Sequence, residues 1–184
     1  MQANNKSKIK KRIIILSIII LVLGIAFSSL YFVRSKAREE SDIKSCMSVQ
    51  RWTNMSIAIY FQYFPNENIF QVNEDWITKY GTVEAICPNF KNESDIFLNG
   101  SGLNENLDGI KYSNLTELKD VVLIADTDNT NNLISSANDI AIRHFKYKGL
   151  IKEYGTVVTY CDGRSEFVSE KDIKNLKFTA KEKR

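Results

Sequence analysis

His144 is the only histidine in the chain, and seventeen residues separate it from Asp162, with Cys161 immediately before that acid. A histidine beside a thiol and a carboxylate is the set that makes a cysteine nucleophilic, because the imidazole removes the thiol proton. The flanking residues argue against that chemistry. His144 lies in the run IAIRHF, Ile140–Phe145, and Cys161 closes the apolar run TVVTYC, Thr156–Cys161. Both runs read as strands, and a cysteine held in a buried strand stays a thiol. The structural reading is that His144 hydrogen-bonds near the Asp162-Gly163 turn and pins a hairpin. No catalytic constellation emerges, so the chain is read as a non-enzyme.

A second group could hold a metal. Asp126 and Asp128, with Asn131 close behind, form an oxygen-rich stretch after a strand, in the manner of a calcium loop. It lacks the central glycine and distal glutamate of an EF-hand, and the plain alternative is a polar turn. Calcium is therefore the one cofactor with any sequence support, through Asp126, Asp128 and Asn131. The three cysteines, Cys46, Cys87 and Cys161, have no CxxC or Cys-His spacing that would suit zinc.

These residues must be carried by folded elements. DVVLIAD, Asp120–Asp126, is a continuous apolar run typical of a buried strand, and strands follow at 140–145 and 156–161. Asp162-Gly163, between TVVTYC and RSEFV, predicts a two-residue type I′ hairpin, since both residues tolerate positive φ. Residues 87–119 hold six Asn and three Gly, which predicts long loops with short strands near 96–98 and 109–112. A short helix is expected over 74–80, and one helical turn followed by disorder in the charged tail from 169 or 170 to 184.

Ahead of all this, residues 13–33 run 21 positions without a charge. A helix of that length reaches about 30 Å, the hydrocarbon thickness of a bilayer. A buried core helix rarely lacks charge for so long, and a cleaved signal peptide has a shorter apolar region, so the segment is read as an uncleaved anchor. Five bases (Lys6, Lys8, Lys10, Lys11 and Arg12) precede it. They place the N-terminus in the cytoplasm and the body outside the cytoplasmic membrane. Setting those five aside from 25 leaves 20 bases against 22 acids, so the body is mildly acidic and no nucleic-acid binder.

Residues 34–63 contain no Gly or Pro, and Ile43, Cys46, Met47, Val49, Ile57, Ala58, Tyr60 and Phe61 fall nearer a 3.6 than a 2.0 period. One helix from about residue 8 to 63 is expected, half in lipid, stopped by Pro65. The organisation is a basic N-terminus (1–12), a transmembrane helix (13–33), an extracytoplasmic domain (34–168, helix to 63 and then loops and sheet) and a tail (169–184). The fold class is α+β, a long N-terminal helix packed on an antiparallel sheet.

Three stretches resemble the type IV pilin-like proteins and the type II secretion pseudopilins. They are SKAREESDIKSCMSVQRWTNMSIAIYFQYF (35–64), Cys87-Pro88, and the unit DVVLIAD, Arg143-His144 and TVVTYCDGRSEFV. The resemblance is closest to a branch with a C-terminal His and Asp-Gly. It implies a non-catalytic subunit of an envelope assembly or secretion system, partnered by other pilin-like subunits or secretion-system membrane proteins. Two features depart from it. Seventeen residues rather than about nine separate His144 from Asp162, and Arg12 runs directly into IIILSIII without a prepilin cleavage motif, the first Glu being Glu39. The missing glutamate supports the alternative of a stand-alone anchored binding module. Outside the cytoplasm Cys46 and Cys87 are the best disulfide pair, because the sheet should pack on the helix that carries Cys46; three buried thiols are the alternative.

Overall fold

The computed structural model describes residues 2–73, 75–80, 100–115 and 117–179, with side chains from Arg12 onward. Helix α1 spans Gln2–Tyr63. It ends where the sequence said it must, since Pro65 has no N–H to continue the ladder and restricts the residue before it. The chain divides into two compact units, Met1–Arg38 and Glu39–Arg184. In the first, Ile13, Leu16, Ile20, Leu23, Phe27 and Leu30 are all exposed. Its one helix is long and apolar enough to cross a membrane. The serines in this stretch return their hydroxyls to the helix itself, Ser28 to the Gly24 carbonyl at 2.8 Å and Ser29 to the Ile25 carbonyl at 2.6 Å. A polar side chain that is satisfied locally adds little cost in an apolar medium.

In the second unit, α1 buries Glu39, Ile43, Cys46, Gln50, Thr53, Ile57 and Phe61. Each is three or four residues from the next, which keeps them on one face. The face is apolar at its C-terminal end, where Phe61 joins Phe70, Trp76 and Tyr80 in the main core. It is polar in the middle, where a helix of this kind would ordinarily carry leucine.

The remaining elements are α2 (Trp76–Lys79), β1 (Ser101–Asn104), α3 (Tyr112–Leu115), β2 (Val122–Asp126), β3 (Leu133–Ile134), β4 (His144–Lys148), β5 (Ile151–Tyr160), β6 (Ser165–Ser169) and α4 (Glu170–Ile173), with 3-10 turns at Glu105–Leu107 and Ala137–Asp139. The architecture is α+β. The sheet is mixed rather than antiparallel, because the chain leaves β2, passes over β1 and lays β3 parallel to it. Gly155 of β5 pairs with both His144 and Ser169, and Val158 with both Ala125 and Glu166. Strand β6 therefore holds one edge of β5, while β4 and β2 share the other, end to end.

Several expectations need correction. The strand expected at 140–145 begins only at His144, after a 3-10 turn closed by a Ser136/Asp139 capping box. Residues 109–112 form no strand, and 96–98 lie outside the described residues. The tail does not leave the body at the helical turn. Val122 N–H donates to the Lys177 carbonyl at 2.8 Å, and Phe178 is buried. The hairpin at Asp162-Gly163 is not type I′. Tyr160 pairs with Arg164 around a three-residue loop, Gly163 N–H returns to Tyr160 O at 2.9 Å, and Gly163 alone has positive φ, +83°. That is a type I turn with a glycine bulge, in which the acid needs no unusual backbone angle.

Candidate functional site

Where β2 ends and β4 has not begun, Val157 on β5 has no strand neighbour for its peptide group on that edge. Side chains take over. Asp126, the last residue of β2, accepts from Val157 N–H at 3.0 Å through Oδ2. Gln50 of α1 donates Nε2 to Val157 O at 3.1 Å and to Asp126 Oδ1 at 3.0 Å. Its own oxygen accepts from Thr159 Oγ1 at 3.0 Å, and Thr159 meets Ser165 Oγ at 2.7 Å. The gap in the ladder is thus closed by a polar network anchored on the helix, which is why α1 carries Gln50 at a core position.

His144, the first residue of β4, completes the cluster. It is wholly buried. Its Nδ1 stands 3.4 Å from Glu39 Oε1, and its Nε2 stands 3.2 Å from Cys46 Sγ and 3.6 Å from Asp126 Oδ2. Glu39 Oε1 also accepts from Phe145 N–H at 3.2 Å. Burial drives the Asp126 carboxyl above its usual range, opposed by the neighbouring His144, Val157 N–H, Arg143 and Thr156. Burial also pushes the His144 imidazole below its usual value, opposed by Asp126 and Asp42. Both groups are held toward their neutral forms, the cheaper state for two titratable side chains away from water.

The expected role of His144 is therefore corrected. Its register partner Gly155 is five positions from Tyr160, where β5 gives way to the turn, roughly 16 Å of extended strand. The histidine joins helix to sheet and has no part in the turn.

The calcium set does not assemble. Asp126 faces inward to Gln50 and Val157, Asp128 pairs with the Arg143 guanidinium, and Asn131 Oδ1 accepts from Leu133 N–H at 3.1 Å. Arg143 also donates to Gly100 O at 2.6 Å and to Thr127 O, so a fixed cation already neutralises the exposed acid of that loop. The oxygen-rich stretch builds a polar turn, the alternative reading.

Cys46 is disulfide-bonded, whereas Cys161 is a buried free thiol pushed up to about 12 by burial and the adjacent Asp162. The expected partner, Cys87, lies outside the described residues. A thiol so raised holds almost no thiolate near neutral pH, which argues against the nucleophile reading of Cys161.

Glu39, Gln50, Thr156 and Thr159 were not legible as site residues. The available signal was the stripe 39-43-46-50-53-57-61, in which an acid and an amide interrupt an otherwise apolar helical face. In comparisons with known proteins, the chain matches no family model, no curated sequence and no solved structure.

Proposed function

We propose that this protein is a non-catalytic, membrane-anchored subunit of an envelope assembly, of the pilin-like kind, with its sheet domain outside the cytoplasmic membrane. The observation that carries this reading is the single helix Gln2–Tyr63, whose uncharged segment 13–33 is exposed at every position but the half-buried Phe32 and whose continuation is packed in an α+β domain. One helix carries both the apolar segment and the stripe that the sheet domain buries, with no Gly or Pro in residues 34–63. That suits a structural subunit better than a tethered enzyme.

Two further features support it. Cys46 is oxidised, which fits a compartment outside the cytosol and agrees with the basic N-terminus staying inside. On the face of α1 opposite the buried stripe, Trp52, Met55, Ile59 and Tyr63 are exposed at three- and four-residue spacing, a surface suited to another helix or subunit. The stand-alone binding module keeps one argument of its own, the lack of any acid before Glu39.

Membrane extraction tests the anchor, and protease protection in intact spheroplasts tests the orientation. A photo-crosslinker at Trp52 tests the assembly. Labelling of the body from outside and a discrete crosslink to another envelope protein are expected. A body protected from external protease overturns the proposal.

A further inference from the structure

The cluster of Cys46, His144 and Asp126 has a second capacity that its hydrogen bonds conceal. Each residue offers one ligand atom, and the three atoms lie within 4.8 Å of one another. The two closest separations are 3.2 Å from His144 Nε2 to Cys46 Sγ and 3.6 Å from Nε2 to Asp126 Oδ2. Zinc binds sulfur at about 2.3 Å, and histidine nitrogen and carboxylate oxygen at about 2.0–2.2 Å. Ligands at those lengths around a tetrahedral ion stand about 3.3–3.7 Å apart. The two edges that meet at His144 Nε2 are close to those of one face of such a site, and the third, between Cys46 and Asp126, lies within 4.8 Å and would have to close around the ion.

Its surroundings match as well. Metal-bound histidines almost always give their second ring nitrogen to a carboxylate, which orients the ring and raises its basicity. Here Glu39 Oε1 stands 3.4 Å from Nδ1, on the side of the ring away from the sulfur. Ligating carboxylates are in turn hydrogen-bonded, and Asp126 is held by Gln50, Thr156 and Val157 N–H. Strands β2 and β4 fix two of the donors and α1 the third. A mixed sulfur, nitrogen and oxygen set selects a borderline ion of the zinc class over calcium or magnesium.

What withholds the site is the oxidation state of Cys46, because a sulfur in a disulfide carries no anionic lone pair for a metal. We propose that reduction of the Cys46 disulfide by a dithiol converts this cluster into a site for one zinc-class divalent cation, with Cys46, His144 and Asp126 as ligands. Two electrons pass from the dithiol to the protein disulfide. Two protein thiols form, and the dithiol closes into its own disulfide. On binding, the Cys46 thiol proton and the Asp126 carboxyl proton leave to solvent, while neutral His144 carries its one proton on Nδ1, facing Glu39, and offers Nε2 to the ion. Three protein ligands leave one coordination position for water or a small anion. The inference is independent of the assembly role proposed above.

The test uses the full chain in detergent, reduced with a dithiol and desalted anaerobically, with cobalt(II) as the spectroscopic probe and zinc as competitor. One equivalent of cobalt should produce thiolate-to-metal charge-transfer absorption, and zinc should abolish it. The unreduced protein should show none. Cys161→Ser should keep the band and Cys46→Ser should lose it. Glu39→Gln should weaken affinity roughly 10–100-fold through the ring it orients. No band in the reduced wild type, or a band that persists in Cys46→Ser, overturns the proposal. Should Cys46→Ser fail to fold, the wild type decides: one equivalent of zinc should raise the melting temperature of the reduced chain and leave that of the unreduced chain unchanged, and equal shifts in the two overturn the site.

Discussion

Gln50 and Asp126 meet across the interface of helix and sheet, Nε2 to Oδ1 at 3.0 Å, both wholly buried. The contact is not a decoration on an apolar core. The two side chains replace the missing strand partner of Val157, one taking its N–H and the other its carbonyl. The helix is thereby locked to the one place on β5 where two neighbouring strands fail to meet.

Removing the amide should therefore cost more than one hydrogen bond. Gln50→Leu keeps the volume but leaves Val157 O and Asp126 Oδ1 without this donor and Thr159 without this acceptor, all in the interior. Each buried polar atom so stranded costs about 1–3 kcal/mol. A loss of about 2–4 kcal/mol is expected, read by denaturant unfolding of the detergent-solubilised chain. A change below about 0.5 kcal/mol would show that water replaces the amide.

His144 should make stability fall in mild acid. Burial holds its imidazole below its ordinary 6.5, so the folded chain resists a proton that the unfolded chain accepts. The stabilisation is complete above about pH 6.5 and drains away as pH falls toward the lowered value. Asp126 acts with the opposite sign. Its raised carboxyl is protonated first in the folded chain, so its contribution is lost as pH rises from 3.8 through that raised value. The two are separated by comparing the wild type with His144→Gln. The wild type should lose melting temperature between about pH 7.5 and 5.5, and the variant should lose less. Parallel curves would remove His144 as the cause.

Much of the fold was legible because it is written locally. The helix long and apolar enough to cross a membrane, its unbroken continuation, Pro65 as its stop and the buried run ending at Asp126 each depend on residues within one window. The site was not, because it arises where α1, β2, β4 and β5 converge from positions as far apart as 39 and 157. Asp126 was singled out for its neighbours in sequence, Asp128 and Asn131, whereas its partners in space are Gln50 and Val157. The same locality misplaced His144 beside the nearest turn, and it read Asp162-Gly163 as a two-residue loop where strand pairing enforces three.

The revised turn still depends on its glycine. At φ +83° a β-branched side chain is strained, and a Cβ on Gly163 would also lie 2.9 Å from Asn54 Nδ2. Gly163→Val should destabilise by about 1–3 kcal/mol. Asp162→Ala, which removes the Oδ1 contact to Arg164 N–H and a partly exposed ion pair of Oδ2 with Arg164 Nε at 3.9 Å, should cost less. Equal melting temperatures for the two variants would contradict the assigned turn.

The cysteines should separate by reactivity. Cys161 is buried and its thiol is raised to about 12, so alkylation in the native state should be negligible and should appear on unfolding without reductant. Cys46, which is disulfide-bonded and also buried, should be alkylated only when the chain is both reduced and unfolded. Non-reducing peptide mapping is expected to join it to Cys87. A peptide joining Cys46 to Cys161 would refute both statements.

The last expectation concerns self-assembly. Under the pilin-like reading proposed above, filament subunits are registered by a glutamate in the membrane helix that pairs with a neighbour's N-terminal amine. Here the apolar segment 13–33 contains no acid, and the first one after it is Glu39. That carboxylate is already committed inside its own domain, to His144 Nδ1 and Phe145 N–H. Contacts between anchor helices then reduce to close packing at small residues such as Gly24 and Ser28, which gives weak association without fixed register. The body, with 20 bases against 22 acids beyond Arg12, adds no strong attraction between copies. Expressed alone, the protein should form no filament and should run as a monomer or loose oligomer in detergent, while remaining able to join a filament made by other subunits. Shearing the cells and imaging the released fraction by electron microscopy decides it, and regular filaments of this chain alone would show that register is set by contacts outside the anchor.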